Sequence, residues 1–196
     1  MITDTRANAM LDTEFSTGDK LSLHTAYSTT GANEVTGGSY VRQTVTWAAA
    51  AARLKASAAA VDLTGLPAAV TVAWIGVWNS AGTVFRGMSP NNGTDFSFQV
   101  GVTANTIIVE GHALANDDRV VFTGTPPAGL TEGTIYFVVG VTAGDPDTFQ
   151  VATTQGGAAI DITGQPSANC MGSKITLETY AAAGGTHRVS TFSARM

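Results

Sequence analysis

The chain of 196 residues carries 10 Lys+Arg against 15 Asp+Glu, a formal net charge of −5, and only 13% charged residues, where globular domains carry about a quarter. Its cations are scattered singly, which argues against direct nucleic-acid binding through a basic face and against membrane attachment through a polybasic patch. Hydrophobic residues make up 44%, enough for a real core, and the single cysteine, Cys170, excludes an intrachain disulfide and a multi-cysteine metal site.

The opening MITDTRANAMLDTEF lacks the apolar segment of a secretory signal. No stretch approaches the roughly 20 apolar residues of a spanning helix. The expectation is a protein made in a cytoplasm and soluble until it meets a partner. Residues 3–12 predict one short helix, capped by Thr3 or Asp4, with Ala7, Met10 and Leu11 on one face and Gly18 beyond its end. A helix this short is marginal alone, so it must dock, either on its own sandwich or on a neighbouring subunit.

From Leu21 the period becomes two. Leu21 and Leu23 alternate with Ser22 and His24, which places His24 outward, and Val41, Thr44, Val45, Thr46 and Trp47 form a second strand. The alanine run 48–52 favours helix by propensity, yet its strand-like flanks and the alternation of Leu54, Ala56, Ala58 and Ala60 predict strand and loop. Residues 70–87, VTVAWIGVWNSAGTVFRG, read as a hairpin turning at Asn79–Gly82. Trp74, Trp78 and Phe85 are its expected core anchors. Another strand is expected over Phe96–Val102.

Residues 106–163 read as a compact unit of short strands with regular turns, a small antiparallel barrel or sandwich. TIIVEGHALANDDRVVFTG gives strand, polar turn, strand. Pro126, Pro127 and Gly129 make a turn, GTIYFVVGVTA a strong strand, Gly144–Asp147 another turn, and DTFQVATTQGGAAIDITG a pair of short strands about Gly156–Gly157. In the tail, Ile175, Leu177 and Thr179 precede a Gly184–Gly185 turn, and Val189, Thr191 and Phe192 follow it. The fold class expected is all-β: an antiparallel, jelly-roll-like β-sandwich with a short N-terminal helix and a small inserted β-barrel or sandwich. The sandwich comprises 1–102 plus 170–196. The insertion comprises 103–169 and faces outward; such insertions are tolerated where the ends of a loop lie close together.

No catalytic, cofactor or metal site emerges. His24, His112 and His187 lie on different elements. His112 has Glu110, Asp117 and Asp118 nearby, oxygen donors of the kind a hard cation takes, but without the alternating acidic loop of a calcium site. Asn116–Asp118 is better read as a turn whose side chains bond their own backbone, and so is Asp145–Asp147. There is no nucleophile elbow, phosphate loop or zinc-protease motif, and no carboxylate pair stands out for glycosidase work. Gly37–Gly38 and Gly156–Gly157 read as positive-φ turns. Asn92–Gly93–Thr94 matches a glycosylation acceptor, a pattern without meaning for a chain that stays in a cytoplasm. Cys170 reads as a buried apolar residue, with an interchain disulfide as the alternative. The expectation is a protein that is not an enzyme and has no cofactor.

Two segments carry a resemblance. LSLHTAYSTTGANEVTGGSYVRQTVTW (21–47), with ANAMLD (7–12) and WIGVWNSAGT (74–83), resembles the N-terminal signature of bacteriophage tail-fibre-like or minor tail virion proteins. Tyr27–Ser28 stand where that family more often has Asp-Pro. HALANDDRVVFTGTPPAGLTEGTIYFVVG with DTFQVATTQGGAAIDITG (112–164) is similar to a β-module that recurs as an insertion in phage virion proteins. The resemblance implies a structural protein of the virion exterior, minor tail or fibre-like, made in the host bacterial cytoplasm, with the sandwich near the particle and the 103–169 insertion outward. As partners it implies other copies of itself, as a homotrimer, and other virion proteins of the tail or the major capsid shell. A capsid-decoration role is the alternative. A further one is a carbohydrate-binding module contacting a host surface glycan through Trp74, Trp78 or Tyr136. The family carries no known active site, so no catalytic residue transfers.

Overall fold

The structure, a computed structural model, describes residues 2–144 and 146–195, with the backbone alone of Ala104; Asp145, in the turn expected at 144–147, lies outside the described residues. The chain divides into two compact units, residues 1–91 with 177–196 and residues 92–176. The first unit contains α1 (Asp4–Glu14), β1 (Lys20–His24), β2 (Gln43–Thr44), β3 (Leu54–Ala56), β4 (Val61–Leu66), β5 (Val70–Val72), β6 (Trp74–Trp78) and β7 (Phe85–Pro90). The second contains β8 (Thr94–Phe96), β9 (Gln99–Gly101), β10 (Thr106–Ile108), β11 (Arg119–Thr123), β12 (Tyr136–Thr142), β13 (Thr148–Ala152) and β14 (Met171–Lys174), with one 3-10 turn at Val102–Ala104. The chain then returns to the first unit as β15 (Glu178–Tyr180), β16 (Gly185–Val189) and β17 (Ser193–Arg195). The fold is all-β with one short helix, and among the described residues no helix is long and apolar enough to cross a membrane.

In the first unit an antiparallel sheet runs in the order β2-β1-β6-β7. Opposite it lies a long irregular ribbon. β17, β16 and β15 pair in turn with β3, β4 and β5, all antiparallel, so the tail zips along residues 54–72 over its whole length. The chain turns at Gly184–Gly185 as expected, but the flanking strands β15 and β16 pair with β5 and β4 and not with each other. Leu21, Leu23, Val61, Leu63, Ile75, Val77, Val189 and Phe192 belong to one core cluster drawn from sheet and ribbon.

Three further expectations change in this unit. The helix runs to Glu14 with Thr3 as its cap, and Met10 is 42% exposed. The docked face consists of Ala7 and Leu11 with Asn8 and Asp12, whose carbonyl and carboxylate accept the backbone N–H of Arg53 and Ala50 at 2.8 and 2.9 Å. The helix thus docks within its own unit. Second, the strand expected over 41–47 shrinks to Gln43–Thr44, with Val41 exposed and Val45 buried. Third, on β3 it is Lys55 that turns inward, 6% exposed and ion-paired with Asp12. The alanine run forms no helix: Ala51 and Leu54 exchange two backbone hydrogen bonds of 2.9 Å around Ala52 (φ +48°) and Arg53 (φ +62°). Positive φ at both central residues makes this a type I′ turn, usually the province of Asn and Gly.

In the second unit a sheet runs β8-β14-β11-β12-β13-β10-β9. Its two ends, β8 and β9, are separated only by Ser97 and the buried Phe98. One bent strand therefore pairs with β14 through its first half and with β10 through its second, and the antiparallel sheet closes into a barrel with no free edge. This explains where the units divide. The boundaries expected at 102/103 and 169/170 move to 91/92 and 176/177, because β8, β9 and β14 are needed to close the barrel. The single strand expected over 96–102 is this bent one. β10 and β11 bracket the polar turn but do not pair with each other, and only the first of the two strands expected around Gly156–Gly157 forms, as β13. Phe122, Phe149, Tyr136 and Ile107 fill the interior.

Candidate functional site

The three histidines occupy unlike settings. His24, expected to point outward, is completely buried. Its strand is covered on both faces: Leu21 and Leu23 face the ribbon, and the opposite face lies under the loop of residues 25–42. His24 Nδ1 stands 2.8 Å from the carbonyl of Ala32 and must donate to it. Nε2 is then an acceptor, and Ser22 Oγ donates to it at 2.7 Å while accepting from Trp78 Nε1 at 3.0 Å. The chain of bonds is complete with the imidazole neutral. Burial holds its pKa below the ordinary value, against the pull of the Ala32 carbonyl and Glu34.

The covering loop is fastened by Arg42. Its guanidinium binds Glu34 through two parallel bonds, Nε to Oε1 at 2.8 Å and Nη2 to Oε2 at 2.7 Å. It also donates to the carbonyl of Gly82 at 2.7 Å and lies 3.6 Å above the Trp78 ring. Such a planar fork over an aromatic face is a strong and directional tie. Trp78 therefore has its ring face capped by a cation, and Trp74 and Tyr136 are buried, 0% and 3% exposed. The Trp74, Trp78 and Tyr136 side chains are packing elements and offer no open aromatic platform. Phe85 is half-buried against Trp78, edge to face at 5.1 Å.

His187 is likewise buried. Its Nδ1 lies 3.1 Å from Glu178 Oε2 and 3.0 Å from the Tyr180 hydroxyl, and its Nε2 3.1 Å from Asn91 Oδ1. Tyr180 donates to Glu178 at 2.9 Å. Burial lowers the His187 pKa against the opposing pull of Glu178, and burial followed by the Glu178 carboxylate raises that of Tyr180. Asn91 is the last residue before the chain enters the second unit and Glu178 the second after its return. The cluster thus ties together the two passages of the chain inside the first unit. The Tyr180 phenol and the buried His187 are joined through Glu178 and Asn91 in one hydrogen-bonded cluster.

His112 is in the barrel, with its neighbours differently employed than a cation would require. Asp118 accepts from the Ala115 N–H at 2.8 Å and from Lys174 Nζ at 2.7 Å; burial opposes these two, yet they hold its pKa below the usual range. Asp117 occupies the left-handed position of the same turn (φ +72°). Asp147, in the turn after β12, accepts from the N–H groups of Gly144 and Gly111, which lower its pKa. Among the described residues no group of three potential ligands gathers around one point. Cys170 is free, 5% exposed, and burial pushes its thiol up to about 11.

A feature that the linear pattern did not reveal is a cavity of about 390 Å³ on the barrel, walled by Phe96, Val109 and Leu114 and rimmed by Thr94, Glu110 and Lys174. Phe96 pairs with Gly172 across the β8–β14 ladder, and its ring lies where a Gly172 side chain would stand. The three contributing segments, 94–96, 109–114 and 174, are far apart in sequence, and no motif announces their meeting. No protein-family model, no curated protein and no solved structure matches the chain.

Proposed function

We propose that this chain is a structural protein of a bacteriophage virion exterior, minor tail or fibre-like, which assembles as a homotrimer and docks on other virion proteins. The observation that carries the reading is the use made of the resemblance-bearing segment 21–47. Its residues build a covered strand and a loop fastened by Arg42, Glu34 and Trp78, so the wording shared with the phage family is spent on construction. Two compact all-β units with few charges fit the same role. Composition supports self-association, since a surface poor in charge suits burial against neighbours. Immunogold labelling of intact virions with antibody against this chain tests the reading. Gold at the tail is the expected result, gold over the head would make the chain a capsid-decoration protein, and unlabelled particles from a lysate rich in the protein would overturn the virion role. The mass in solution, by light scattering, tests the trimer.

A further inference from the structure

We infer that the barrel cavity walled by Phe96, Val109 and Leu114 is a binding site for one neutral pyranose unit of a glycan. This goes beyond the virion role and does not rest on it: a sugar pocket on a protein that never labels a particle would still be a sugar pocket. It also uses none of the three aromatic residues that the sequence suggested for the purpose.

The volume, about 390 Å³, lies within the usual range of small-ligand sites, which combine apolar walls with a few convergent polar groups. A pyranose ring needs that combination. Its C–H face lies on aromatic or aliphatic carbon, here Phe96, Val109 and Leu114. Its edge carries hydroxyls that both donate and accept. The rim offers an acceptor in the Glu110 carboxylate, a donor in Lys174 and a group of either kind in the Thr94 hydroxyl.

Charge selects against the alternatives. Lys174 already donates to Asp118 at 2.7 Å, so its positive charge is matched, and Glu110 leaves the rim net negative. An anion is repelled. A cationic amphiphile meets only one exposed carboxylate, screened by solvent, and gains nothing from the Thr94 and Lys174 groups.

The cavity wall also holds a donor in want of an acceptor. The Leu114 N–H donates to His112 Nδ1 at 3.3 Å, which puts the ring proton on Nε2. That atom is closed to solvent and has no partner. A buried unsatisfied donor costs about 1–3 kcal/mol. The His112 ring lines the cavity and packs edge to face on Phe149, centroids 5.2 Å apart, in a segment whose neighbours Glu110, Gly111 and Ala113 are all exposed.

The test is a titration of the full ¹⁵N-labelled chain with methyl β-D-glucopyranoside, methyl β-D-galactopyranoside and methyl N-acetyl-β-D-glucosaminide, each to about 100 mM, well above the millimolar Kd of a weak single-residue site. Sodium hexanoate and hexylammonium chloride serve as charged apolar controls. The expected result is saturable movement of the Phe96, Glu110 and Leu114 amide signals with at least one sugar and with neither control. Glu110→Gln and Thr94→Ala are at exposed positions and leave the fold intact; each is expected to weaken that sugar about tenfold, the loss of one hydrogen bond to a charged or hydroxyl group. Overturning results are no saturable shift with any of the three sugars, saturation of the same amides by a control, or sugar shifts that both variants leave unchanged.

Discussion

Gly76 faces Ser22 across the β1–β6 ladder, and the space its missing side chain leaves is filled by the His24 ring. A Cβ at Gly76 would stand 2.5 Å from His24 Nε2 and 2.6 Å from Ser22 Oγ, closer than atoms tolerate. The glycine is required here for room, and not for an unusual backbone angle.

Gly76→Ala is therefore expected to destabilise the first unit by about 1–3 kcal/mol, the usual range for overpacking a filled interior, with loss of the hydrogen bonds to His24 adding to it. Urea unfolding followed by tryptophan fluorescence reads the change, since Trp74 and Trp78 lie beside the site. An unchanged midpoint would show that the network can shift aside.

Acid should weaken the fold through His24 and His187 before the carboxylates respond. Both histidines have folded pKa values depressed below the ordinary 6.5, so the unfolded chain binds more protons than the folded one as pH falls. Their contribution is complete above about pH 6.5 and is lost as pH drops through the folded values. The carboxylates of Asp12, Asp118 and Asp147, also depressed, lose theirs only below about pH 4. Stability measured by urea between pH 7.5 and 5 should fall, and His24→Gln should flatten the slope. A wild-type slope of zero in that window contradicts the assignment of neutral buried histidines.

The Ala52–Arg53 turn should be improvable. Each non-glycine residue held in the left-handed region costs about 1–2 kcal/mol, and Asn and Gly are the residues suited to a type I′ turn. Ala52→Asn with Arg53→Gly is expected to raise the thermal midpoint of the first unit by several degrees. The Arg53–Asp4 ion pair, 3.8 Å long and largely exposed, is too weak to offset the gain. A lowered midpoint would mean that the arginine side chain matters more than the strain.

Cys170 should resist thiol reagents in the native state. It is buried with a pKa pushed up to about 11, so at pH 8 little of it is thiolate and that little is shielded. Ellman's reagent is expected to react at once in 6 M urea (roughly a full unfolding dose for a small domain) and slowly without it. Rapid native labelling, or a disulfide-linked dimer on a non-reducing gel, would overturn this placement.

Much of the architecture was open to reading in the chain itself. The hairpin at Asn79–Gly82 announced itself through β-branched and aromatic residues around a turn, and the barrel through its even spacing of short strands. His24 was misjudged because alternation says which residues share a face, not whether the second face is covered; the cover comes from the 25–42 loop, whose anchor at Arg42 looks in sequence like one more scattered cation. Lys55 was hidden for the same reason, its inward turn depending on Asp12 across 43 residues. Gly184–Gly185 is a good turn signal and the turn forms, while the pairing of β15–β17 with residues 54–72 leaves no local trace. The cavity is assembled from three distant segments and had no signal to offer.

The ribbon has a consequence for the order of events during synthesis. The barrel, residues 92–176, is contiguous and can close as soon as β14 leaves the ribosome, a domain folding as a unit while the chain is still growing. The first unit cannot follow the same vectorial schedule. The sheet β2-β1-β6-β7 lies wholly within residues 20–90 and can pair early, but β3, β4 and β5, with Leu63, Leu66 and Val72, lack their partners until residues 178–195 emerge. For the whole time the barrel is being translated, β3, β4 and β5 present unpaired edges, and residues 178–195 are the segment that closes them.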